Sequence, residues 1–203
     1  MKRGLVVIFT MFLLAFSAAG KTSSYPRFTF GCQWDYYATF LNGYYQYFYA
    51  PEGFREDIAG YMFDFCNNGE SALHAGYNFN ENWNLSLYIG YTALGSFHRA
   101  VPMSLRATRY FGSDPLKDRW FAFMDAGSGI SLKNNPQEIF TGKIGGGYRM
   151  SLSRYTKLDF IMSLRTVYTH PDVIYYSEII DRDSIIRNDG YTCSLSFGIG
   201  ITF

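Results

Sequence analysis

Gly190-Tyr191-Thr192-Cys193-Ser194-Leu195-Ser196-Phe197-Gly198-Ile199-Gly200-Ile201-Thr202-Phe203 closes the chain and alternates without interruption. Tyr191, Cys193, Leu195, Phe197, Ile199, Ile201 and Phe203 share one parity, and Thr192, Ser194, Ser196, Gly198, Gly200 and Thr202 the other. Successive strand residues point to opposite faces, so this is a strand with one apolar face and one small, polar face. Such dyad alternation, over segments of about ten residues, is the pattern of a transmembrane β-barrel.

Seven earlier segments carry the same pattern. Arg27 to Leu41 sets Phe28, Phe30, Cys32, Trp34, Tyr36, Ala38 and Phe40 against Thr29, Gly31, Gln33, Asp35, Tyr37 and Thr39. Ser71 to Phe79, Trp83 to Ala93, Val101 to Phe111, Trp120 to Leu132, Ile139 to Met150 and Lys157 to Tyr168 follow. Trp120 to Leu132 is the least regular, and the parity of Asp125, Gly127 and Gly129 is assigned to the interior, with Phe121 and Phe123. Asn80-Glu81-Asn82, Gly112 to Pro115 and Ser153 to Thr156 are short turns. Gly95 to Ala100 and Lys133 to Gln137 read as loops, and Asn42 to Glu70 and Thr169 to Asp189 as long ones. The expected fold is an all-β, eight-stranded, up-and-down antiparallel transmembrane barrel, its long loops outside and its short turns periplasmic.

The beginning of the chain agrees. Lys2 and Arg3 precede an apolar run from Leu5 to Phe16, followed by Ser17-Ala18-Ala19-Gly20. This reads as a secretory signal peptide at 1–20, cleaved after Ala19 or Gly20, with the barrel domain at 21–203. No later run has the length of a spanning helix, so re-entry into a membrane requires a closed barrel. Aromatic residues make up 20% of the 203 residues, with 18 Tyr and 19 Phe, which suits aromatic belts at two interfaces. Without Lys2 and Arg3, 16 basic residues face 17 acidic ones, and nothing points to nucleic acid.

These strands, ending on Phe203, resemble the small eight-stranded bacterial outer-membrane barrels of the OmpA-domain, OmpX and OmpW kind. Gly76-Tyr77-Asn78-Phe79-Asn80-Glu81-Asn82-Trp83 is similar to a glycine-aromatic hairpin common in such proteins from Bacteroidetes. The resemblance implies residence in a Gram-negative outer membrane and contact with its lipid. It also implies that Phe203 belongs to the signal read by the barrel-assembly machinery.

A soluble barrel would also alternate, but its outward face would be rich in Lys and Glu. Here all six Glu (52, 56, 70, 81, 138 and 178) are read into loops or turns. The polar strand faces hold Gly, Ser, Thr and Asn with a few charges, which is how a narrow lumen is filled. Asp35, His74, Arg106, Asp125, Lys143, Arg149, Asp159 and Arg165 all fall on that parity. An eight-stranded interior is just wide enough for side chains, so the cluster reads as a salt-bridged plug. A gated ion or proton path is the sharper alternative.

Catalysis would need a His with Ser or Asp at the rim. His98 near Ser96, and His170 before Pro171-Asp172, are loop residues without a recognisable motif. Cys32, Cys66 and Cys193 lack metal-ligand spacing, and no cofactor is called for. A disulfide between Cys32 and Cys193 and two free thiols packed as small hydrophobes are both compatible with the sequence. Tyr44, Tyr45, Tyr47, Phe48, Tyr49 and Phe54 crowd the first long loop, where Pro51 could open a helical turn. They read as interaction candidates for a host protein, a glycan or a neighbouring barrel. Tyr61, Phe63 and Phe65 alternate, as if the second strand began earlier. The expected function is that of a monomeric, non-enzymatic barrel with a structural or surface-interaction role. A narrow channel for small solutes is second, and a lipid-modifying enzyme third.

Overall fold

The computed structural model describes residues 26–63, 65–94, 98–112, 114–132, 138–176 and 178–203, so the expected signal peptide lies outside the described residues. The strands are β1 (Phe28–Tyr49), β2 (Arg55–Met62), β3 (Cys66–Asn78), β4 (Trp83–Leu94), β5 (His98–Tyr110) and β6 (Arg119–Ser131). β7 (Glu138–Ser151), β8 (Lys157–Thr169), β9 (Ile174–Tyr175), β10 (Glu178–Ile179) and β11 (Ile185–Thr202) follow. β1, β3, β4, β5, β6, β7, β8 and β11 form an antiparallel ring, closed where β11 returns to β1.

One row of paired residues can be followed round the ring. It runs Thr29, Gly76, Ser86, Arg106, Asp125, Lys143, Arg165 and Ser194, and meets β1 again at Thr39, ten residues past its start. This stagger tilts the strands against the barrel axis and sets which side chains meet inside. The row is small and polar or charged throughout, as the lumen parity requires. The opposite parity is apolar and bare: Leu73 is 70% and Met124 66% exposed, whereas Arg106 and Arg165 are 3% and 2% exposed. A fold that turns its charges inward and its aliphatic residues outward is matched to lipid. With the ring closed, no barrel strand leaves an edge unpaired along the wall.

The largest departure from the sequence expectation is in the first long loop. β1 continues to Tyr49, and most of residues 42–70 is strand. Its 22 residues exceed the roughly 9–11 that cross a bilayer, so its upper part stands outside. There Asn42 to Tyr49 pair with β2 on one side and, through Phe48, with the start of β11 on the other. Pro51 starts no helix: Ala50 to Phe54 is a tight turn, with Gly53 N–H donating to the Ala50 carbonyl at 2.9 Å and Gly53 at φ +90°. The early start suggested by Tyr61, Phe63 and Phe65 is real, since β2 and β3 together carry the returning arm. β11 begins at Ile185, five residues before the alternation becomes regular.

The result is a three-stranded tower above the rim. Phe48, Val173 and Ile180 form its small core, flanked by Ile58, Tyr175 and Ile185. The β9–β10 hairpin from the last long loop supplies Val173 and Ile180.

The lipid-facing parity makes an energetic prediction. Leu87→Arg or Leu164→Arg should each destabilise the barrel by about 2–4 kcal/mol if placed near the bilayer midplane. Ser86→Ala, on the lumen side of β4, should cost about 1 kcal/mol through its lost bond to Asn84. Urea titration in lipid vesicles measures all three, and equal costs at positions 86 and 87 would contradict the assigned faces.

Candidate functional site

The lumen is a connected network of paired charges. Arg106 on β5 donates from Nε to Asp125 at 3.0 Å and from Nη1 to Gln33 Oε1 at 2.7 Å. Gln33 Nε2 donates to both Asp35 oxygens at 2.8 and 2.7 Å. Lys143 Nζ lies 3.7 Å from Asp35 and 2.7 Å from Glu70, and Arg165 lies 3.2 Å from Glu70. A separate group nearer the periplasmic end joins Arg149 to Asp159 through two bonds of 2.6 and 2.7 Å, with Thr202 donating to the same carboxylate at 3.1 Å.

Aromatic rings fill the space between these groups. The Arg106 guanidinium is sandwiched between Tyr88 at 3.9 Å and Phe123 at 4.3 Å. Arg165 lies over Tyr37 at 4.2 Å, and Tyr110 takes Arg119 at 3.9 Å and Arg149 at 4.6 Å. A desolvated cation keeps favourable electrostatics over a ring face, so these stacks supplement the ion pairs. His74 stacks on Tyr88 with ring centroids 4.9 Å apart, and its Nδ1 makes no hydrogen bond among the described residues. A void of about 20 Å³ beside His74, Arg106, Arg149 and Asp159 has room for about one water.

All eight sequence-nominated residues thus point into the lumen. Seven join the ion pairs, and His74 packs beside them. The reading of the glutamates is corrected: Glu56 lies in β2, Glu138 at the start of β7 and Glu178 in β10, and Glu70 is no loop residue either. It lies in β3 opposite Asp35, 5% exposed, and bridges Lys143 and Arg165. It brings the deep acids to four (Asp35, Glu70, Asp125, Asp159), against four cations (Arg106, Lys143, Arg149, Arg165). Continuing the Ala72, His74 parity back by one step would have found it. Gln33, Tyr37, Tyr88 and Tyr110 lie on the lumen parity but became legible as network members only once the register was known.

The loop candidates divide. Phe48 is buried in the tower core and is not a contact residue. Tyr44, Tyr45 and Tyr47 are half-buried on β1, while Tyr49 and Phe54 are exposed at the tip. Arg55 donates to Tyr49 Oη at 2.8 Å, and Tyr45 to Asp57 at 3.3 Å. Phe203 bonds through its backbone to Phe30 in both directions, at 3.1 and 2.7 Å, and stacks on its ring.

Ser96 and Lys133 to Gln137 lie outside the described residues, as does the side chain of His98. His170 holds the Asn188 carbonyl through Nδ1. Cys32 pairs with Ile201 and Cys193 with Leu41, nine residues apart along β1, so about 30 Å separates the two thiols and a disulfide between them is excluded. All three cysteines are free. No described group of three or more His, Cys, Asp or Glu could hold a metal ion.

No protein-family model matches the chain, and none of the curated proteins compared matches its sequence. Among solved structures, the outer membrane protein OprG of Pseudomonas aeruginosa is similar at 11% identity, over 89% of this chain and 98% of that one, with a TM-score of 0.49. The N-terminal β-barrel domain of Pseudomonas aeruginosa OprF is similar at 12% identity, over 84% and 97%, with a TM-score of 0.45. Neisserial surface protein A is similar at 12%, over 86% and 97%, with a TM-score of 0.44. The closed register of this chain, rather than these overlaps, defines its fold.

The network predicts strong, non-additive effects. Arg106→Ala should cost about 3–5 kcal/mol, because it strands a buried carboxylate. Removing Arg106 and Asp125 together should cost less than the sum of the single changes. Denaturant titration of the folded barrel in vesicles checks both, and additive costs would mean the two groups are uncoupled.

Above the rim, the Tyr168 hydroxyl and then Arg187 hold the Asp189 carboxyl below its ordinary value. This stability is present above the ordinary carboxylate range and is lost as pH falls through the lowered value. Acidification should therefore loosen the 170–184 segment, read as faster protease nicking. Asp189→Asn should nick at one rate across that pH range; an unchanged pH dependence would assign the effect elsewhere.

Proposed function

We propose that this barrel, an integral protein of a Gram-negative outer membrane, is a single-copy surface-interaction protein whose working part is the tower. The observation that carries the reading is the edge of the protruding sheet: among the described residues, β2 pairs with β1 alone. An unpaired strand outside the membrane is a template for a partner strand, with backbone bonds giving affinity and side-chain pockets giving choice. Tyr49 and Phe54 at the tip offer apolar area with little entropy to lose. The partner class that fits is a protein on a host or neighbouring cell, offering an extended segment. A glycan would use the same aromatic tip.

The packed, ion-paired lumen supports a mechanical reading of the interior. It braces the barrel under the tower, and a solute would have to part several ion pairs to cross. No lipid-modifying chemistry is proposed, since His170 is used to hold a backbone carbonyl. On the same reading, the final strand ending on Phe203 is the segment engaged by the assembly machinery.

The test joins two measurements. The full chain in a planar bilayer should give a closed trace. Cells displaying it should attach to surfaces coated with extracellular-matrix protein, and replacing residues 45–57 with a short turn should abolish attachment while leaving the barrel folded. Stable single-channel steps with attachment unaffected by the shortening would replace this proposal with the channel reading.

A further inference from the structure

The outer wall carries a furrow that neither the lumen nor the tower uses. It is lined by Gly146, Met162, Phe197 and Tyr36, members of a register row that begins at Arg109 and Ala122. The row starts at the periplasmic end of β5 and reaches β1 well above its start at Phe28, so it climbs from the periplasmic interface toward the middle of the membrane. Ala122 and Gly146 are its smallest members. The next row, Phe111, Trp120, Tyr148, Phe160, Ile199 and Trp34, is bulky throughout. Where Gly146 meets this aromatic bank, the wall sinks into an apolar furrow of about 880 Å³, with Gly147 and Gly198 also lining it.

A cation stands at its lower end. The Arg109 guanidinium lies 5.7 Å from the Trp83 ring and 5.6 Å from that of Phe111, which itself lines the furrow. Arg109 is exposed on the lipid parity, and no described carboxylate forms an ion pair with it. Arg154, exposed in the β7–β8 turn and 5.7 Å from the Tyr155 ring, lies toward the other flank. A guanidinium at this level presents a fork of donors suited to phosphate oxygens.

We infer that the furrow is a binding site for one anionic phospholipid of the periplasmic leaflet, with its phosphate at Arg109 and an acyl chain lying between the two rows. The order of features matches such a lipid: charge at the interface, then an apolar track toward the midplane. A second barrel is the poorer occupant, because a convex wall does not fill a furrow and would bring its own cation to the same rim. Ordinary annular lipid would fill the space without choosing a headgroup.

The chain's three tryptophans report on the site, since Trp34 and Trp120 line the furrow and Trp83 supports Arg109. The full barrel is placed in phosphatidylcholine vesicles doped either with phosphatidylglycerol brominated on its acyl chains or with brominated phosphatidylcholine. Brominated phosphatidylglycerol should quench tryptophan fluorescence as if enriched about five-fold, the preference expected from one surface cation. Arg109→Gln should remove that preference and leave quenching by brominated phosphatidylcholine in place. Met162→Phe, and independently Ile199→Phe, should lower quenching by both lipids by narrowing the furrow that these two residues line. Equal quenching of the unaltered protein by the two lipids would overturn the inference. So would phenylalanine variants, shown to be folded, that quench like the unaltered protein, or barrels that cross-link to each other through this face.

Discussion

An eight-stranded ring leaves an interior about one layer of side chains wide, so each ion inside it must find a counter-ion, a carbonyl or a ring face within reach. Arg106, Lys143, Arg149 and Arg165 meet Asp35, Glu70, Asp125 and Asp159 under this constraint, and most other features of the molecule follow from it. Glycine, serine, threonine and asparagine, with Ile139, Ile161 and Val167, occupy most of the rest of the lumen parity, because the long basic side chains and the rings need the volume. The wall can then be made largely of what suits lipid, with Arg109 as an exposed charge near the periplasmic interface. Arg106 is held by a carboxylate, an amide and two ring faces, which fixes its position more firmly than a single pair would.

The fold was legible because period-two patterning is local: each residue from Gly190 to Phe203 declares its face without reference to any other strand. The members of the lumen cluster were legible for the same reason. Their pairing was not, because which acid meets which cation depends on the ten-residue stagger round the ring, and no single strand carries that quantity. Glu70 was misread for a related reason: its neighbours Asn67, Asn68 and Gly69 have the composition of a loop, yet they hydrogen-bond to β1 as strand. Phe48 was misplaced because its crowd of aromatic neighbours was read as a loop beyond Leu41, whereas β1 runs on to Tyr49, with register shifts against β11 between Thr39 and Leu41 and again at Phe48.

Those register shifts also separate two environments on one continuous strand. Below Thr39, β1 sorts polar residues inward and apolar residues toward lipid. Above Leu41 it runs through water, where Tyr45, Tyr47 and Tyr49 meet Asp57, Arg55 and Arg187, and Phe48 packs on the last long loop. The tower core of Phe48, Val173 and Ile180 is small, but it ties that loop to the hairpin and keeps β1 from ending at the rim. The wall changes character in a similar way along its length: where Gly146 and Ala122 replace bulky residues, an otherwise uniform hydrophobic surface gains shape.

The ties across the lumen also bear on how the barrel comes to exist. Lys143 reaches Glu70, Arg106 reaches Gln33 and Arg165 reaches Thr92 over separations of 73 residues each. None of these contacts helps an isolated hairpin, because its charges would face lipid or water without their counterparts. Loop-closure entropy is therefore spent before the interior contributes anything, which is the situation of a slow, non-local folder. The last seam to form, β11 against β1, brings the distant partners within reach and excludes water from between them. Closure of the wall and neutralisation of the interior are consequently one cooperative event, and a half-built barrel has no dry resting state in the bilayer.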